Sequence, residues 1–281
     1  YTLSLHDALP ICNEFVSSGS VASGTVLSGG RDYVLVNGLA VATIIGNGGV
    51  EVVDGVASGT VVSAGGLQVS DAGAVVSGTI LQAAGVQFVF GSATGTFVGI
   101  SAAGFVLSGG TISGGTVSGG DLFIRAGGVT NGALAQAGGT QSVYGTASGT
   151  VLSSGGVENT FGGGSTTSAT IMTGGFEFVS SGGVASGAVL SGGRDYVWQG
   201  GSASGTQIGN GGVEIVDGTT VVTVVSAGGL QVLDPGGTAS GTTLLANGVQ
   251  FDRGTAVGTI VSSGGSENVM GGGVTSSTTV M

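Results

Sequence analysis

Carboxylate or amide side chains return along this chain about every 18 residues. They are Glu14, Asp32, Glu51, Gln68, Gln87, Gln141, Glu158, Glu177, Asp195, Glu214, Gln231, Gln250 and Glu267, with Val106 and Leu122 completing the series. Each stands two residues after a Gly-rich corner. If the units stack, adjacent rungs bring carboxylates to roughly the 5–5.5 Å separation of retaining glycosidases. The same stacking would let neighbouring acids share a hard cation. Glu158, Glu177, Asp195 and Glu214 follow one another without interruption, so a weak Ca²⁺ site would fall there. The plainer reading is a solvated strand face whose polar residue keeps the coil soluble and in register. An active site needs one distinguished rung and this ladder has none. The ladder is therefore placed outside, as a non-catalytic face.

The other reactive side chains crowd into the opening YTLSLHDALPIC, which holds the only His (His6) and the only Cys (Cys12), beside Ser4 and Asp7. Two observations set this stretch apart. NEFVSSGSVASG at 13–24 matches FEFVSSGGVASG at 176–187 at ten of twelve positions, yet Ile11-Cys12 stands where Gly174-Gly175 would be expected. Back-translated, residues 1–11 fit a common short-read sequencing adapter, whose final T converts a Gly codon to that of Cys12. Residues 1–12 read as an adapter-derived artefact and are set aside from fold reasoning. The repeats then have no Cys or His, which removes thiolate and imidazole metal sites and the usual nucleophile–base pairs. No P-loop, GxSxG elbow or dinucleotide fingerprint occurs, and no cofactor is implied.

The ladder needs elements to hold it, and composition says which. Of 281 residues 64 are Gly and two Pro, and the net charge is −11 with only four basic residues, all Arg. Such a chain cannot neutralise phosphates, which excludes nucleic acid as a partner. A step that is most often Gly-Thr-apolar-apolar recurs at Thr25, Thr43, Thr60, Thr79, Thr96, Thr116, Thr150, Thr170, Thr206, Thr223, Thr242, Thr259 and Thr278, with Ala133 and Ala188 filling two slots. Within a unit, Val50-Glu51-Val52 and Phe176-Glu177-Phe178 alternate as strands do, and the β-branched step suits a second strand. Gly pairs such as Gly65-Gly66 supply corners of positive φ. Units of this size cannot bury a core alone but can when stacked. The expected fold is all-β: a single-chain parallel β-helix (β-solenoid) over residues 13–281, about 18 residues per turn and 14–15 turns. Strand-crossover chirality favours right-handed coiling. SGGRDYV at 28–34 returns at 191–197, which marks a nine-unit block duplicated at an offset of 163.

In this coil Thr reads as a buried hydroxyl stack. The residue after it is then outward, so Val26, Ile44, Val61 and Ile80 form an apolar stripe and become interaction candidates. Arg31-Asp32-Tyr33 and Arg194-Asp195-Tyr196 read as local ion pairs on a wet face. Tyr196 and Trp198 are the best candidates for stacking against a sugar.

VASGTVLSGGRDYV, NGGVEVVDG and VVSAGGLQVSDAGAVVSGT resemble the Gly-rich repeats of AIDA-type (diffuse-adherence) autotransporter adhesins, and the resemblance covers residues 13–281. It implies a secreted passenger stalk, displayed at the cell surface of a Gram-negative outer membrane by a C-terminal barrel. It also implies attachment to host or neighbouring cells, self-association and biofilm formation, with a Ser/Thr heptosyltransferase as a partner. Neither a signal peptide nor barrel strands occur in this sequence, so a fragment is expected. The alternative is a non-catalytic part of a carbohydrate-active β-helix enzyme.

Removing one whole unit, residues 43–59, is expected to lower stability less than removing half of it. A whole unit leaves each neighbour interface equivalent, whereas half a unit turns strand faces over. Urea unfolding followed by circular dichroism compares the two, and equal damage would contradict a solenoid.

Overall fold

A computed structural model describes residues 12–281. Ser4, His6 and Asp7, and with them the adapter-derived reading of residues 1–11, lie outside the described residues. Cys12 is exposed, and its carbonyl accepts a hydrogen bond from Arg31 N at 2.9 Å.

Every turn of the coil has three strands, and each joins a different parallel sheet of 15 strands. The first sheet begins with Asn13–Val16, Arg31–Val34 and Val50–Val53 and ends with Ser266–Val269. The second runs from Val21–Ser23 to Val274–Ser276, and the third from Val26–Ser28 to Thr279–Val280. Sequence reasoning anticipated two strands per unit. The one it missed is the short second strand, such as Val56–Ser58, too brief to display a period of two. Among the described residues there is no helix, as expected when Gly interrupts every few residues at about 1 kcal/mol each.

Pairing is in register from turn to turn, so equivalent residues become columns: Glu158 faces Glu177, Glu177 faces Asp195 and Asp195 faces Glu214. The third sheet sends Leu27, Ile45, Val62 and Leu81 inward, and the fourth residue of each first-sheet strand sends Val34, Val53 and Val89. The second sheet contributes mostly Ala (Ala40, Ala57, Ala93, Ala147), because a narrow three-sided coil leaves little depth there.

Gly-Gly corners combine two different requirements. Gly109 has φ 85°, a left-handed conformation that costs other residues about 1–2 kcal/mol. Gly110 has no positive φ; a Cβ placed there would lie 2.0 Å from the carbonyl oxygen of Val89 in the preceding turn. The first glycine bends the chain and the second lets one turn settle onto the last. The chain itself shows the difference: Ala84 (φ 67°) fills the position equivalent to Gly65, while Gly85 follows it. Ala74 and Ala102 are the exceptions at the contact position.

Two assignments in the Thr column shift by one residue. Thr116 pairs with Phe97 and Thr170 with Val151, so both belong to the outward column. Gly115 and Ala169 occupy the slots that sequence spacing gave to them.

Gly110→Ala should cost about 3 kcal/mol, at the upper end of overpacking. Gly65→Ala should cost about 1 kcal/mol, since a Cβ there meets only ordinary contacts and the penalty is that of a left-handed backbone. Shifts in the urea midpoint would distinguish them, and equal costs would refute the contact explanation.

Candidate functional site

The ladder of carboxylates and amides lies inside the coil, not on its surface. Asp32, Glu51, Gln68, Gln87, Gln141, Glu158, Glu177, Asp195, Glu214, Gln231 and Gln250 are all 0% exposed. First-sheet strands do alternate with a period of two, but in the opposite phase: Val50 and Val52 are half-buried outside while Glu51 points inward. Val106 is not a member of the series. It pairs with Val89 and Ile124, and the ladder slot of that turn is Gly104, next to Leu122.

Where amides neighbour acids, the rungs of the column hydrogen-bond to one another. Gln68 Nε2 donates to Glu51 Oε2 at 2.7 Å, and Gln87 Nε2 donates to Gln68 Oε1 at 2.8 Å. The Thr stack supplies the cross-links, with Thr60 Oγ1 donating to Glu51 at 3.1 Å and Thr79 Oγ1 to Gln68 at 3.0 Å. The Thr reading therefore holds for these turns, and its hydroxyls serve the ladder. In the second block Gln141 donates to Glu158 at 2.6 Å and Gln231 to Glu214 at 2.7 Å.

Between those two amides the column is acid throughout. Glu158 Oε2, Glu177 Oε2, both oxygens of Asp195 and Glu214 Oε1 have no hydrogen-bond partner. Burial, reinforced by Glu177, pushes the Glu158 carboxyl up to about 8. Burial also raises Glu177 to about 7, against a hydrogen bond from Thr166 that favours its ionised form. Asp195 is held well above the usual carboxylate range by burial and by Glu177, Glu214 and Glu158. Burial raises Glu214 as well, against donors from Gln231 and Thr223. In the first block Asp32 is raised to about 7 by burial and by Glu51 and Glu14. Neutral carboxyls can donate to the next rung, which carboxylates cannot.

This geometry overturns the surface readings of the ladder. Glu158, Glu177, Asp195 and Glu214 are enclosed, so a weak Ca²⁺ site on an external face does not exist there. Among the described residues no group of three or more His, Cys, Asp or Glu side chains is placed to hold a metal ion. A glycan cannot reach the column for retaining-glycosidase chemistry. The Arg-Asp-Tyr motifs are not ion pairs either. Asp32 and Asp195 point inward, while Arg31 and Arg194 donate to Tyr33 and Tyr196 hydroxyls at 3.2 and 3.4 Å outside. Among the described residues the one ion pair is Arg253 with Asp234, at 3.5 Å.

The outer candidates lie on two faces. Val26, Ile44, Val61 and Ile80 sit on consecutive rungs of the third sheet, outward, and Phe97 continues them. Val26 is 67% exposed and Ile44 47%. On the first sheet, Tyr196 stacks on Phe178 at 5.0 Å, and Trp198 lies 6.2 Å from Tyr196. Sequence reasoning missed the rest of that aromatic column. Phe88, Phe105 and Phe123 stack at 5.0 Å spacings, with the Arg125 guanidinium 5.4 Å from the Phe123 ring centre. The signal was available, because each occupies the third position of its strand.

In comparison with solved structures, the chain is similar to the TibC-catalysed, hyper-glycosylated fragment of TibA: TM-score 0.82, 33% identity, 94% of this chain and 97% of that one. The chain belongs to the AIDA-type autotransporter adhesin passengers. No protein-family model matches it, and neither does any curated protein sequence. HetL, a pentapeptide repeat protein of Nostoc, is far from it at TM-score 0.14 and 10% identity. As a passenger of this family the chain is an adhesin-type stalk, and its matched relative is a glycosylated adhesin fragment and not an enzyme.

The acid column has a thermodynamic signature. Carboxyls whose folded values exceed their unfolded ones keep more protons in the rod than in the unfolded chain, so stability falls as pH rises between the two values. With Glu177 near 7 and Glu158 near 8, stability should be greatest near pH 4–5 and decline toward pH 8. Glu177→Gln should stabilise the rod at pH 8 by on the order of 2 kcal/mol and flatten the decline. Urea unfolding across pH 4–9 measures both; a Gln variant less stable at pH 8 would contradict the neutral-acid column.

Proposed function

We propose that this stalk is displayed from a Gram-negative outer membrane by a C-terminal barrel and holds cells together. It acts through contacts between stalks, in biofilm formation and in attachment to host or neighbouring cells. The observation that carries the reading is the outward column of the third sheet, in a chain 33% identical to an adhesin passenger fragment over 94% of its length. From Val26 through Ile44, Val61, Ile80, Phe97, Thr116, Leu134, Val151, Thr170, Val189, Gln207, Val224, Thr243 and Ile260 to Thr279 this column carries no charge. Its first five members are all apolar, and such contiguous surfaces mark interaction sites. Rungs about 4.8 Å apart repeat a weak contact along the rod, and many stalks on one cell multiply it.

Sugar addition fits the same reading. TibA is glycosylated through TibC, and the second sheet here presents accessible hydroxyls along its outer face, such as Ser92, Thr94, Thr146 and Ser186. A glycosyltransferase partner acting on this face would leave the apolar column of the third sheet uncovered.

Val61→Glu combined with Ile80→Glu should leave the rod folded while slowing the settling of cells that display the full-length protein by several-fold. Turbidity of standing cultures measures this, with display level checked by surface labelling. Undiminished clumping by a displayed, folded double variant would move the contact to another face.

A further inference from the structure

Trp198 is the only Trp in the chain and is 47% exposed. It stands at the corner that follows the first sheet, at the edge of an aromatic platform. Its ring lies within 18° of parallel to Tyr196 and 17° to Phe178. Two shallow hollows meet at it. One is lined by Tyr196, Trp198, Ile215, Asp217 and Asp234, the other by Trp198, Gln199, Asp217 and Pro235. Trp198 and Asp217 thus form a shared wall. The two carboxylates differ in what they touch: Asp234 is engaged by Arg253 at 3.5 Å, while Asp217 has no ion-pair partner among the described residues.

The duplicated block supplies an internal comparison. Nine turns earlier the same corner holds Leu35, Val36, Asp54 and Asp71 in place of Trp198, Gln199, Asp217 and Asp234. Phe90 stands there in place of Arg253. The acid pair is therefore a feature of the corner, and the indole, the amide and the guanidinium are what the second copy adds. An indole face accepts the apolar C–H side of a ring. A free carboxylate accepts hydroxyl donors at close range, and a Gln amide both donates and accepts. Together they suit a ring that is apolar on its face and hydroxylated on its edge.

We propose that Trp198, Gln199 and Asp217 form a binding site for one neutral pyranose residue of a glycan, its ring on Trp198 and its hydroxyls on Asp217 and Gln199. The hollow that Trp198, Gln199 and Asp217 line together, at about 380 Å³, lies at the low end of the roughly 300–1,000 Å³ that encloses drug-sized ligands. It holds one ring and not a chain. Asp217 and Asp234 disfavour sialic and uronic acids by like charge. A single ring at an open corner binds weakly, in the millimolar range. The site gives the adhesin reading a ligand class, but the binding it describes is a property of the isolated rod and is tested without cells.

Because Trp198 is the sole indole, its fluorescence reports the site directly. The rod is titrated with the methyl pyranosides of glucose, galactose, mannose and N-acetylglucosamine, with sialic acid, and with acetyl-lysine amide as a cationic probe. At least one neutral pyranoside should shift the emission saturably, and sialic acid should not. Asp217→Ala should weaken that binding about tenfold, and Trp198→Leu should abolish it in saturation-transfer NMR. Leu35 at the equivalent corner shows that the fold accepts Leu, and circular dichroism checks both variants. The proposal is overturned if no neutral pyranoside saturates up to about 100 mM, or if sialic acid binds as tightly as the best neutral ring. It is also overturned if either variant binds like the parent rod, or if the lysine amide alone saturates, which would make the corner a cation site.

Discussion

The whole coil rests on a backbone contact: the contact-position glycine of most corners against the carbonyl of the turn before. Gly85, Gly110, Gly156 and Gly237 leave no room for a Cβ, which would lie 2.0–2.2 Å from Val62, Val89, Ala135 and Val216 oxygens. That contact lets successive turns settle at strand spacing at three-sided corners, without a helix or long loop to cover the bend. Once the corners coincide, everything between them must coincide too. The in-register columns, polar and apolar, follow from it.

Columns magnify whatever a slot contains. A Gln in the inner slot hands its amide to the next rung and so extends an unbroken hydrogen-bonded track, as Gln87, Gln68 and Glu51 do. An acid in the same slot has nothing to donate unless it keeps its proton, and four in succession leave orphaned oxygens from Glu158 to Glu214. Removing a buried partner from such a network costs more than the bond is worth on its own. The polar track also fixes alignment, since a slip of one residue would set Glu51 outside and Val52 within.

Much of this was legible in the residues. The period, the parallel coil, the duplicated block's alignment and the outward stripe of Val26, Ile44, Val61 and Ile80 all follow from spacing. The phase of the first-sheet strands did not. Alternation in Val50-Glu51-Val52 identifies two faces without saying which is inner, and the ordinary preference for apolar interiors chose the wrong one. A physical clue lay in the slot's narrow chemistry: a wet face can hold Lys, Ser or Asn, whereas this one holds acids and amides that can link rung to rung. The same blindness shifted Thr116 and Thr170 by one residue, because a Thr after a small residue (Gly115, Ala169) fits the motif in either register and only pairing with Phe97 and Val151 decides. The aromatic platform under Trp198 is legible only once the turns are superposed.

Hiding acids inside a rod makes the unfolded chain and the folded one different colloids. Unfolded at neutral pH, the chain carries its formal charge of −11 along its whole length, so that copies repel one another and stay dispersed. Coiled, it encloses Asp32, Glu51, Glu158, Glu177, Asp195, Glu214 and Asp252. Outside it keeps Glu14, Asp54, Asp71, Asp121, Asp217, Asp234 and Glu267 set against Arg31, Arg125, Arg194 and Arg253, a net of −3 among the described residues. Because burial leads the enclosed acids to keep protons that they lose in the unfolded chain, electrophoretic mobility should drop on folding even though no residue has changed. A surface of low net charge favours association, so cohesiveness is acquired with the fold and withheld until then.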